Sequence, residues 1–107
     1  MNTTRQGSRY VREVLTWLES RGLQVTRRPW REAGDDLQVD VPSDGHTIPL
    51  SIECKNLNRL TWAEAIDQAE RNSGNRYGVV FAKRRGKRSV DEHYVVMRAA
   101  TFMELIR

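Results

Sequence analysis

Residues 35 to 55, DDLQVDVPSDGHTIPLSIECK, decide the fold. Leu37, Val39 and Val41 alternate with Gln38 and Asp40, the period of a half-buried strand. Pro42-Ser43-Asp44-Gly45 is a strong turn signal. Ile48, Leu50, Ile52 and Cys54 then alternate with Pro49, Ser51, Glu53 and Lys55. Two such runs predict a β-hairpin with its turn within residues 42 to 47. Asp36 stands at the open end of the first arm, and Glu53 and Lys55 at the open end of the second. Side chains two apart on a strand share a face, so Glu53 and Lys55 project together and Ile52 and Cys54 point the other way.

Outward from the hairpin, Val11, Val14, Leu15 and Leu18 form an i, i+3, i+4, i+7 stripe. They predict a helix over 8–21, with Ser8 as N-cap and Gly22 as C′ residue. Leu23, Val25 and Arg27 read as a short strand. Thr61 followed by Glu64 fits a capping box, and Trp62, Ala65, Ile66 and Ala69 give the apolar face of a second helix, ended by Ser73 and Gly74. The run YGVVFA at 77–82 reads as a strand buried on both faces. HYVVM at 93–97 predicts a fifth strand, and 99–106 a final helix. The expected fold class is α/β: one domain over 1–107, a mixed central sheet of about five strands, flanked by helices.

Composition bounds the function. The chain has 107 residues, of which 38% are hydrophobic and 30% charged, enough for one modest core. No stretch approaches the roughly eighteen uninterrupted apolar residues of a membrane span. The N-terminal residues lack the apolar region of a secretory signal. The single cysteine, Cys54, cannot form an internal disulfide, and two histidines, His46 and His93, make no usual zinc spacing. A reducing cytosol, in a bacterial cell or a phage-infected host, is the expected compartment. The net charge is +4, concentrated at Arg27, Arg28 and Arg31 around Pro29 and Trp30, and at Lys83, Arg84, Arg85, Lys87 and Arg88. Such clusters suit phosphate neutralisation, or form solvated loops.

The convergence of Asp36, Glu53 and Lys55 suits one class of reaction. Two hard carboxylate oxygens are a partial site for Mg²⁺ or Mn²⁺, with water and a substrate phosphate completing the shell. A neighbouring lysine can orient water and stabilise charge on the phosphate. Taken alone, an Asp followed by Glu-x-Lys also occurs as a turn residue and an exposed ion pair.

The residues Gly34-Asp35-Asp36-Leu37 and Ile52-Glu53-Cys54-Lys55, on two arms of one hairpin, resemble the PD-(D/E)XK nuclease superfamily; the proline of that name is absent. Gly7-Ser8-Arg9-Tyr10-Val11-Arg12-Glu13 and Arg21 to Arg28 resemble the opening of archaeal-type and phage-type Holliday junction resolvases, and Val79 to Lys87 with Tyr94 to Met97 resemble the tail of small members. The resemblance covers nearly the whole chain and implies a divalent-metal-dependent endonuclease, commonly a homodimer that cuts branched DNA. It implies Asp36 and Glu53 as metal ligands and Lys55 as catalytic lysine. The helix-one glutamate of the resolvases aligns near Val11 here; Glu13 is the available acid, either a further metal ligand or an i, i+4 partner of Arg9. Asp35 competes with Asp36 for the metal, and Gln68 on helix two is either a neighbour of the site or a solvent-facing residue. Arg9, Arg12, Arg27, Arg28, Lys83, Arg84, Arg85, Lys87 and Arg88 are expected to hold DNA, with Trp30 as a stacking platform. Tyr10, Trp17 and Trp62 are candidates for a subunit interface. The rival readings are a non-catalytic basic DNA-binding module on a degenerate nuclease fold, and a nuclease of restriction or repair type.

Overall fold

A computed structural model describes residues 5–29, 32–56 and 61–107, with side chains from Gly7 onward. Trp30 and Arg31, and the segment 57–60, lie outside the described residues. The elements in chain order are α1 (Arg5–Ser20), β1 (Val25–Arg27), β2 (Leu37–Ser43), β3 (His46–Lys55), α2 (Trp62–Arg71), β4 (Tyr77–Ala82), a short 3₁₀ turn (Val90–Glu92), β5 (Tyr94–Val96) and α3 (Ala99–Ile106). The five strands form one sheet in the order β1-β2-β3-β4-β5. The pairings are antiparallel except β3 with β4, which run parallel. α2 is the crossover that joins that parallel pair.

The hairpin pairs Leu37 with Ile52, Val39 with Leu50 and Ser43 with His46. Its turn is tighter than expected, two residues only. Asp44 and Gly45 have φ of 39° and 83°, the left-handed region that a type I′ turn demands and that matches the twist of the flanking strands. Pro49 fits within β3 because β4 begins pairing only at Leu50.

Strand alternation gives the sheet two unlike faces. Leu37, Val39, Ile52, Cys54, Val79 and Phe81 pack against Tyr10, Val11, Val14 and Leu18 of α1, forming the main core. The opposite face carries a smaller cluster, Val80 and Ala82 against Ala65 and Ala69 of α2. The polar residues Ser51 and Glu53 share that second face, and both are buried. α2 lies very close to the sheet there. A Cβ added at Gly78 would stand 2.7 Å from the Ala69 carbonyl oxygen, so the helix backbone rests on the glycine. Gly78→Ala should destabilise the fold by about 1–3 kcal/mol, the usual cost of overpacking; a urea titration that finds parental stability would show that α2 can lift off the sheet.

Several sequence expectations are corrected. α1 starts at Arg5, so Ser8 lies inside the helix rather than at its cap, and its hydroxyl accepts from Arg27 Nη2 at 3.1 Å. The helix does end as expected: Gly22 N–H donates to Glu19 O and Leu23 N–H to Leu18 O, a Schellman closure. Thr61 holds the N-cap position of α2, but its side chain makes no capping bond. Trp62 is 44% exposed, since α2 buries its small alanines instead. Tyr10 is inside the core and offers no free surface, while Trp17 is half-buried and packs edge-on against Phe81.

Candidate active site

Asp36 sits where the hairpin ladder gives way. Its N–H donates to Ile52 O at 3.0 Å, while its Oδ2 accepts the backbone N–H of Cys54 at 2.8 Å. The carboxylate thus takes the place of a strand carbonyl, which pins it against β3. Glu53 and Lys55 project toward α2 from the same face of β3. Two amide side chains meet them, one on that helix and one at its C-cap: Asn72 Nδ2 donates to Glu53 Oε2 at 3.1 Å, and Lys55 Nζ donates to Gln68 Oε1 at 2.7 Å. Gln68 therefore faces the lysine rather than solvent.

The two carboxylates strain one another electrostatically. Burial pushes the Glu53 carboxyl up to about 7, with the nearby Asp36 charge adding to the rise and the Asn72 bond and Lys55 opposing it. Burial likewise raises Asp36, against the Cys54 N–H bond and the Lys55 charge. Cys54, between Glu53 and Lys55 in sequence, faces the α1 core, and burial drives its thiol far up; it is an apolar filler, not a nucleophile.

Asp35 is occupied elsewhere. Its side chain is fully buried; Oδ2 accepts from Ser51 Oγ at 2.5 Å and Oδ1 from Arg28 Nε at 3.0 Å. Arg28 also donates to the Asp35 carbonyl and packs over Gly34, where a Cβ would stand 2.5 Å from Nε. Both Asp35 oxygens are therefore engaged in holding the loop that presents Asp36. Asn72, which the sequence analysis did not single out, adds a bond from Nδ2 to Gly34 O at 3.3 Å.

The cationic residues divide into committed and exposed. Arg28 is tied to Asp35, and Arg27 reaches Ser8 and also acts on the Asp36 charge. Lys83 Nζ lies 3.5 Å from Glu13 Oε1 and 5.7 Å from the Tyr10 ring centre. Lys87 pairs with Glu92 at 3.5 Å, and Arg84 lies 5.9 Å from the Tyr94 ring centre. Arg9, Arg12, Arg85 and Arg88 are exposed. Glu13 thus faces Lys83 rather than Arg9. His93 anchors the basic loop: its ring bridges the Tyr10 hydroxyl at 3.1 Å and the Lys87 carbonyl at 2.8 Å. A carbonyl can only accept, so Nε2 carries a hydrogen and donates it to Lys87 O. Trp30 lies outside the described residues.

The donor set suits a hard divalent cation. Asp36 Oδ1 and Glu53 Oε1 have no hydrogen-bond partner among the described residues, and two desolvated, mutually repelling carboxylates gain from a cation between them. Among the described residues, no three or more His, Cys, Asp or Glu side chains gather as a metal cage. That is compatible with Mg²⁺, which keeps several waters and takes one or two carboxylates plus substrate phosphate.

No protein-family model and no curated protein sequence matches the chain. Its structure is similar to that of Archaeoglobus fulgidus Hjc, a Holliday junction resolvase from an archaeal hyperthermophile, with a TM-score of 0.56 and 16% identity over 92% of this chain and 93% of that one. The expected α/β architecture of five mixed strands and flanking helices is present, and the fold is similar to that of this archaeal resolvase.

Proposed function

We propose that this chain is a divalent-metal-dependent endodeoxyribonuclease that hydrolyses phosphodiester bonds in Holliday junctions or other branched DNA, as a homodimer, in the cytoplasm of a bacterial cell or phage-infected host. The observation that carries the reading is the meeting of two mutually repelling carboxylates, half-buried Asp36 and buried Glu53, with Lys55 at the open end of the hairpin of a resolvase-like fold. Asp36 and Glu53 would hold Mg²⁺ or Mn²⁺. When bound, such an ion polarises a phosphate oxygen and acidifies its own water. Lys55, oriented by Gln68, supplies a positive charge for the phosphate as negative charge builds on it. The exposed Arg9, Arg12, Arg85 and Arg88, with Arg84 and Lys87, hold the DNA backbone, and Arg27 adds charge beside Asp36.

A test incubates the protein with Mg²⁺ or Mn²⁺ and a labelled four-way junction, nicked duplex, plain duplex and single strand. Symmetric cutting of the junction supports the reading. Cutting of the other substrates alone keeps the chemistry and removes the junction. Binding without cleavage in either metal returns the protein to a binding module.

Two sites are needed to cut a near-two-fold junction symmetrically, so the reading calls for a second copy, which we place at the C-terminal end of the fold. Among the described residues, five of the six most exposed large apolar side chains lie at its C-terminal end: Tyr94 and Val95 on the edge strand β5, and Phe102, Met103 and Ile106 on α3. α3 itself is held chiefly by Thr101 and by Arg98, both reaching Glu70. Exposed apolar side chains along a sheet edge and on the helix after it suit an interaction surface, and edge strands can pair across a two-fold axis. Phe102→Glu combined with Ile106→Glu should convert a dimer into a monomer in size-exclusion chromatography with light scattering. A parent chain that is monomeric at tens of micromolar would remove the dimer.

A further inference from the structure

The side of the site formed by α2 carries a second regularity. Gln68 on α2 and Asn72, the C-cap residue of that helix in αR conformation, are four apart and share one face. Glu53 and Lys55 are two apart on β3 and share one face. Four helical residues advance about 6 Å, and two strand residues about 6.6 Å. The two pairs are therefore matched in length, and they meet one to one, Gln68 with Lys55 and Asn72 with Glu53. The contact of Ala69 with Gly78 fixes the height of the helix over the sheet, so the match cannot slip.

Asn72 does more than complete a pair. A primary amide has two hydrogens on nitrogen. Its two Nδ2 bonds go to the Glu53 carboxylate and to the Gly34 carbonyl, both acceptors only, which also settles which atom of the amide is nitrogen. Gly34 opens the segment Gly34-Asp35-Asp36. One side chain at the C-terminus of α2 thus ties the carboxylate of β3 to the loop that presents the carboxylate of β2.

We infer that Asn72 is a positioning residue that holds Glu53 and the Asp36 loop as one rigid donor pair for a divalent cation. The inference rests on the proposed nuclease reading for its metal and on the observed bonds for its mechanics. Groups that orient metal ligands from behind are typically worth 10- to 100-fold in metal affinity or activity.

Mn²⁺ binding to the DNA-free protein, measured by calorimetry, should weaken by about tenfold or more in Asn72→Ala and in Asn72→Asp. The Mn²⁺ concentration that half-saturates cleavage should rise by a similar factor, with the rate at saturating metal largely recovered. Exchange of the Cys54 amide hydrogen, held by Asp36, should quicken in both variants without any metal present. Metal-free binding to DNA should stay at the parental level in Asn72→Ala. If either folded variant keeps both parental Mn²⁺ affinity and parental Cys54 exchange, the inference is overturned. If the parent binds no Mn²⁺ but Asn72→Ala still speeds Cys54 exchange, the bracing stands and the nuclease reading falls. A variant that merely melts earlier, with both readouts at parental values in its folded range, assigns Asn72 to helix capping alone and overturns the inference too.

Discussion

Asp36→Asn, Glu53→Gln and Lys55→Ala should each reduce junction cleavage in Mg²⁺ by about 10²- to 10⁴-fold. Each removes a charge from a site in which the partner groups are already desolvated and fixed, so nothing nearby can move in to replace it. The two acid variants should bind junction DNA as well as the parent or more tightly, because each deletes a negative charge facing the phosphates. Lys55→Ala should lose little affinity, since one charge among many basic groups is a small part of backbone binding. Rates under single turnover and affinities from a gel-shift titration separate the two effects. A non-catalytic module behaves in the opposite way: it ignores the acids and loses binding when Arg84, Arg85 and Arg88 are replaced. Loss of cleavage in step with loss of binding would therefore count against the assigned roles.

The second large effect is on stability. In the folded chain Glu53 keeps its proton up to about pH 7, whereas an unfolded glutamate releases it near 4.5. Between those values the folded state binds more protons than the unfolded one, so stability falls as pH rises through the window and stays lower above it. A shift of that size corresponds to about 3 kcal/mol. Glu53→Gln keeps the shape and removes the charge. At pH 8 without metal, it should be more stable than the parent by about 2–3 kcal/mol, a rise in Tm of about 10 °C. Below pH 4.5, where the unfolded glutamate is protonated too, the difference should vanish. Mn²⁺ should stabilise the parent by about 2.7 kcal/mol at a hundred times its Kd, seen as a rise in Tm, and leave Glu53→Gln unmoved. A parental Tm that is flat from pH 5 to 8, with no gain in Glu53→Gln, would show that Glu53 is not desolvated in solution.

The legible parts of this protein were those with local periodicity. The alternation of Leu37, Val39 and Val41 and of Ile48 to Cys54, joined at Asp44-Gly45, encodes the hairpin and its register, and the register brings Asp36 beside Glu53 and Lys55. Gly22 announced the end of α1. The illegible parts are pairings between residues far apart in the chain. Arg28 and Lys83 read as free cations because charge is visible in sequence and its partner is not; Asp35 and Glu13 are those partners. Asn72 carries no signal in the sequence, since its bonds reach Glu53 and Gly34 across the fold. Thr61 and Ser8 had capping spacing, yet neither side chain caps. The apolar side chains of α3 were visible as such, but periodicity does not say whether the same chain covers them, and here it leaves Phe102, Met103 and Ile106 exposed.

The parallel pairing of β3 with β4 sets the order in which the centre can come into being. A hairpin closes locally and early, whereas parallel strands must wait for the crossover between them. On a ribosome, Asp36, Glu53 and Lys55 emerge together while Gln68, Asn72 and β4 are still to be made. In that interval the acids remain in water, with ordinary proton affinities and no amides to orient them. A nascent or truncated chain ending before α2 thus carries every charged group of the centre and lacks the enclosure that would let them act in concert, so the proposed cutting power would arrive only with completed folding.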